Sequence, residues 1–137
     1  MKHSAEYYIE HLEMEPHVEG GYFKECLLEK EERNLWSSIY FMLAKGEVSH
    51  FHRLKSDEVW YYHDGNALTI YMIDEAGKLT AAKLGLDLEK GEVPQVLVPK
   101  GMIFGSAMEE EGVTAVVVDA SVAEIVVVTL TKVTSIT

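Results

Sequence analysis

A chain of 137 residues has material for one domain around one core. Its 12 Lys and Arg against 23 Asp and Glu leave a formal charge of −11, a field that repels phosphate backbones and anionic bilayers, so neither nucleic acid nor a membrane surface is the expected partner. The lone Cys26 permits neither an internal disulfide nor a thiolate zinc cluster; with no signal-peptide core and no apolar run near the roughly 20 residues of a membrane span, the expected location is the cytoplasm.

From the N-terminus, Ala5, Tyr8, Ile9 and Leu12 fall at i, i+3, i+4 and i+7, one stripe of a short amphipathic helix that Ser4 can cap and that Pro16 finds already ended. Gly20-Gly21 marks a turn or a close backbone approach. Tyr22 to Leu28 reads as a first strand, and Glu29 to Asn34 as a solvated charged loop. Ser37 to Leu43 is apolar on both faces, which predicts a strand covered on both sides.

Gly46 turns the chain into G-E-V-S-H-F-H-R-L-K-S-D-E-V-W-Y-Y-H-D-G. Side chains two apart on a strand share a face, so His50 and His52 are expected to point the same way. Arg53 to Asp57 reads as a polar turn and Glu58 to His63 as a returning strand, a hairpin that sets Glu58 beside the two imidazoles. Further strands are expected over Ala67–Ile73, Leu79–Leu84, Val93–Pro99, Ile103–Ala107, Thr114–Asp119 and Ile125–Val133. Turns at Asp64-Gly65-Asn66, Glu75–Lys78 and Lys100-Gly101 separate them, with Glu109-Glu110-Glu111 in a loop. Two prolines put Val93–Pro99 at an edge or beside a bend. Many short strands and no alternating long helices exclude a parallel α/β sheet. They predict one all-β antiparallel sandwich or barrel over residues 16–137, preceded by a helical segment over 1–15.

Two imidazoles and a carboxylate are a workable ligand set for a divalent first-row metal, and His50, His52 and Glu58 plus water would make an open site. The other reading of this set is a metal-free polar wall in which His52 bonds Glu58. Trp60 and Tyr62 share the parity of Glu58, as core packing or as a cleft wall with a phenol able to give a proton. A glutamate buried among aromatics is pushed toward its neutral form, which suits proton transfer. Arg53 and Asp57 are expected to pair across their turn. Gln95 either offers an amide to a ligand or is a satisfied edge side chain, and Glu19 and Tyr22 are expected to fix the N-terminal segment rather than reach a cavity. His3, His11, His17 and His63 have no partner pattern and read as surface or structural residues.

Gly46, His50, His52, Glu58 and Gly65 resemble the first cupin motif; Pro99 and Gly101 resemble the second, with Phe104 where that motif carries histidine. P-H-V-E-G-G-Y-F, H-R-L-K-S-D-E-V-W and P-Q-V-L-V-P-K-G together resemble a group of small single-domain cupins related to sugar-nucleotide epimerase types. The likeness runs from about Leu12 to Ala107; the tail V-V-V-D-A-S-V-A-E-I-V-V-V departs from that group's glycine, cysteine and Pro-Gly-Phe pattern. It implies an antiparallel jelly-roll barrel, a homodimer, and an interior pocket lined by His50, His52, Glu58, Trp60, Tyr62, Gln95 and Phe104. Two functions stand side by side. One is an isomerase or epimerase acting on a small, sugar-like polar molecule, with His52 as base, Glu58 and Tyr62 as proton carriers, or a metal held by His50, His52 and Glu58. The other is a metal-free binding or storage module without catalysis.

Overall fold

The computed structural model describes residues 3–30, 34–44, 47–108 and 125–133. Helix α1 (Ala5–His11) begins where the sequence places it, with the Ser4 hydroxyl accepting the Tyr7 N–H at 3.2 Å. Among the described residues eleven strands follow: β1 (Glu15–Pro16), β2 (Tyr22–Lys30), β3 (Asn34–Ala44), β4 (Val48–Arg53), β5 (Asp57–Gly65), β6 (Leu68–Ile73), β7 (Leu79–Leu84), β8 (Glu92–Val93), β9 (Gln95–Val98), β10 (Ile103–Met108) and β11 (Ile125–Val133). They form two sheets, ordered β1-β2-β3-β11-β5-β9 and β4-β10-β6-β7-β8, antiparallel except for the short β7–β8 pairing. No helix among the described residues is long and apolar enough to cross a membrane.

The inner faces of the sheets enclose one core. Phe41, Leu43, Trp60, Val96 and Val98 come from the first sheet, and Leu68, Ile70, Met72, Leu84 and Phe104 from the second. Strand β3 is covered on both sides, as its unbroken apolar run predicts. Phe41 and Leu43 face this core, while Met42 faces outward under α1 with Ala5 and Met14. Tyr22 packs into that outer cluster and so fixes the N-terminal segment.

Four expectations need correction. Strands β4 and β5 do not form a hairpin: β4 pairs with β10 in the second sheet and β5 with β11 and β9 in the first. The polar run between them carries the chain from one sheet to the other. It is pinned by the Pro99–Gly101 turn, where Gly101 N–H donates to the Leu54 carbonyl at 2.9 Å and Lys100 N–H donates to Asp57 Oδ1 at 2.8 Å. Asp57 therefore caps a turn, and no Arg53–Asp57 ion pair forms; Arg53 is exposed. The supposed loop Glu29–Asn34 is shorter than read, because β2 runs to Lys30 and β3 starts at Asn34. Pro94 lies between β8 and β9, so the run Val93–Pro99 is split between the outer strands of two sheets rather than being one strand. Gly46, the Glu109–Glu111 run and the expected strand Thr114–Asp119 lie outside the described residues.

Candidate functional site

A cavity of about 250 Å³ opens between the sheets. Strand β3 contributes Ile39 and Phe41, β4 contributes Ser49 and His52, and β5 contributes Glu58 and Trp60; Leu54 comes from the crossover, and His17, Val18 and Glu19 from the loop between β1 and β2.

The Gly-Gly pair brings that loop in. Gly20 and Gly21 sit at φ +110° and +77°, and a Cβ on them would lie 2.0 Å from the Val48 carbonyl oxygen and 2.6 Å from that of Met42. Only glycine accepts both that conformation and that proximity. The close approach lets His50 N–H donate to the Glu19 carbonyl at 2.8 Å, which ties the loop to β4. Inside the loop, Glu19 N–H donates to His17 Nδ1 at 3.0 Å. His17 and Glu19, read from sequence as structural, thus face the cavity. The E-G-G-Y string was their signal; what it lacked was the identity of the strand the loop would touch.

A bulge decides which imidazole of β4 enters. Phe104 pairs with His52 and Ser106 with Ser49, so three steps on β4 oppose two on β10. The extra residue breaks the alternation. Ser49 and His52 face inward, and His50 is exposed and outside the cavity. Gly105 lies opposite the bulge, where a Cβ would come within 2.9 Å of the Ser49 carbonyl oxygen. The expected trio of His50, His52 and Glu58 is therefore not assembled. Among the described residues no group of three His, Cys, Asp or Glu is disposed to hold a metal ion. The donor set does not fit a three-ligand centre.

His52 keeps a defined face. Its Nδ1 lies 2.7 Å from the His50 carbonyl, which can only accept, so in the neutral ring the proton is on Nδ1 and the lone pair on Nε2. The Phe104 ring packs against it with centroids 4.3 Å apart. Phe104 is a wall of the core behind His52 and does not line the cavity. Glu58 is 2% exposed, and its Oε1 accepts the Trp60 indole N–H at 2.8 Å. Burying a carboxylate is tolerable only with such donors.

Two expected pocket residues lie elsewhere. The Tyr62 hydroxyl donates to the Gly65 carbonyl, and burial, followed by the charges of Asp64 and Glu92, pushes that phenol upward, so it is neither in the cavity nor eased toward losing a proton. Gln95 is exposed on β9, opposite Tyr61. His3 and His11 stack on Tyr7 at the surface of α1.

A family model described as Cupin superfamily (DUF985) matches residues 6–129. The solved structure of a protein from Shewanella oneidensis is 47% identical, with a TM-score of 0.83 and coverage of 98% of this chain and 80% of that one. A hypothetical protein from Leishmania major is 32% identical, with a TM-score of 0.78 over 96% of this chain and 81% of that one. Bacillus subtilis oxalate decarboxylase is 20% identical with a TM-score of 0.58, over 90% of this chain and 28% of that enzyme, a likeness of fold alone. No curated protein matches the chain.

Proposed function

Because the chain belongs to the cupin superfamily, in the family described as DUF985, we propose that it works through its interior cavity, as an isomerase or epimerase on a small polar carbonyl compound of sugar type. The observation that carries this reading is the fixed tautomer of His52, with its Nε2 lone pair on a ring that lines the cavity beside a buried glutamate. At about 30 Å³ per water, the cavity holds roughly eight water volumes, enough for a molecule no larger than a monosaccharide.

In this reading His52 Nε2 removes a proton from the carbon beside the carbonyl. The C–H electron pair becomes a C=C bond, and the carbonyl oxygen takes up a proton to give an enediol. Return of the proton to the neighbouring carbon gives an isomer; return to the opposite face gives an epimer. Glu58, shared by the cavity and held by Trp60, is the second proton carrier. The step needs neither metal nor redox cofactor. The resemblance of its motifs to epimerase-type cupins supports the reaction class only as analogy.

Proton NMR of dihydroxyacetone and D-ribose in D₂O tests this through exchange of the α-proton. His52→Asn keeps a donor near the Nδ1 position and removes Nε2, so exchange should fall by about 10²–10⁴-fold, the usual contribution of a general base. Exchange undiminished in that variant would refute the assignment. The second reading, a binding module without catalysis, draws on the Tyr62 hydroxyl being engaged by Gly65. Sugar binding without any exchange by the wild-type protein would favour it.

A further inference from the structure

His17 is held by its own loop, in the tautomer opposite to that of His52. The Glu19 backbone N–H can only donate, and it meets His17 Nδ1 at 3.0 Å. Nδ1 therefore carries the lone pair, and the proton of the neutral ring sits on Nε2. Two aromatic rings set the plane of the imidazole. Phe23 stands edge-to-face at 5.1 Å and 82°, and Phe41 at 5.7 Å and 90°. With Nδ1 turned to the loop backbone, the edge that carries Nε2 is the one turned away from it, on a half-buried residue of the cavity wall. His52 shows the reverse pattern, a proton on Nδ1 and a lone pair on Nε2. Both rings line one cavity of about 250 Å³, small enough that a molecule of monosaccharide size meets both.

We propose that His17 is a further catalytic residue of this cavity, its Nε2–H donating to the carbonyl oxygen of the substrate while His52 draws the proton from the neighbouring carbon. This rests on the reading of the cavity as an isomerase or epimerase site. A hydroxy-carbonyl compound asks for that pair, an acceptor at the C–H and a donor at the oxygen of the next carbon. As the C–H bond breaks, its electron pair becomes the C=C bond and the carbonyl π pair moves onto oxygen, where negative charge grows. A donor already fixed at that oxygen needs no reorganisation when the charge arrives. His17 keeps its own proton, and the one that the oxygen finally takes up comes by way of Glu58, the second carrier. The loop that Gly20 and Gly21 bring onto β4 thus supplies a reacting group as well as a wall.

Long-range ¹H–¹⁵N NMR of the wild-type protein reads both tautomers, and should show the proton on Nε2 of His17 and on Nδ1 of His52. Adding dihydroxyacetone should shift the His17 Nε2 resonance. The variant is His17→Asn, whose Oδ1 can accept the Glu19 N–H in the same i to i+2 turn, so the loop is kept while the Nε2 donor is lost. Exchange of the α-proton of dihydroxyacetone in D₂O should fall about 10²–10³-fold, the usual cost of one lost oxyanion donor, with little change in Tm. A His17 ring protonated on Nδ1, a resonance that dihydroxyacetone leaves unmoved, or exchange in His17→Asn equal to that of wild type overturns the assignment. The wild-type spectra need no variant and decide the matter even where His17→Asn is destabilised. The proposed function survives each of these failures provided His52→Asn still abolishes exchange. Absence of exchange in the wild-type protein overturns both.

Discussion

Gly20→Ala measures how firmly the cavity is closed by its loop. The added methyl would stand 2.0 Å from the Val48 carbonyl oxygen at a backbone φ of +110°, so it meets two penalties at once. The conformation costs a residue with a side chain about 1–3 kcal/mol. The clash is with backbone, which cannot rotate away, so the loop must lift and release the His50 N–H bond to Glu19, worth about 1 kcal/mol. The sum is about 3 kcal/mol. For a chain of this length, an unfolding entropy of about 2.1 cal/mol/K per residue converts that into a fall in Tm of roughly 10 °C. Gly77→Ala supplies the control, with a similar φ of +81° and nothing within 4 Å of the new methyl. It should cost about 1 kcal/mol and roughly 3–4 °C. Calorimetry of the three proteins separates conformation from proximity. Equal losses in the two variants would refute the claim that the loop rests on β4, and with it the placement of His17 and Glu19 at the cavity.

Other outcomes follow from the same geometry. Phe104→Ala removes a ring 1% exposed that buttresses His52, and should cost about 3–5 kcal/mol by urea denaturation; a loss under 1 kcal/mol would contradict its place in the core. Tyr8→Phe removes the hydrogen bond to Asp64 and should cost about 1.5–3 kcal/mol near neutral pH. Burial and then the Asp64 bond push Tyr8 up to about 12, and that bond holds the Asp64 carboxyl below its usual 3.8. The contribution of Asp64 is present above pH 3.8 and is lost as pH falls through its lower folded value. That of Tyr8 is present below pH 10 and is lost as pH rises toward about 12. The gap between wild type and Tyr8→Phe should therefore stay level between about pH 5 and 9 and narrow outside it; a gap that varied across neutral pH would implicate another group. Added Zn²⁺ or Mn²⁺ should leave the Tm unchanged, and a saturable rise abolished by His50→Ala would reveal a centre that the inward and outward faces of β4 do not provide.

Local chemistry was readable and long-range pairing was not. Ser4 as a cap, the two-faced β3 and the tight approach at Gly20-Gly21 follow from residue type and period, and each appears where the sequence puts it. His52, Glu58 and Trp60 line the cavity. The run from Arg53 to Asp57 announces a break in the strand, but turn residues do not name the partner of the strand that follows, so a sheet-to-sheet crossover and a hairpin look alike in sequence. The parity of His50 and His52 failed for a related reason. A bulge is a property of two strands, and here the one that accommodates it is β10, through Gly105, more than fifty residues away. His17 and Glu19 carried a recognisable string, yet their direction depends on Val48 and Met42, against which the glycines close.

The irregularity in β4 also says how such a scaffold changes its chemistry. With the extra residue after Ser49, the wall presents a hydroxyl and one ring; sliding that irregularity upstream past His50 would retract the hydroxyl and present two rings in a row. No substitution within the lining is needed to move between these surfaces, only a different resting place for one peptide unit. A bulky residue at 105, which would crowd the present position, is the simplest lever on that choice, and diversification of this barrel can proceed through β10, a strand that contributes no residue to the cavity lining.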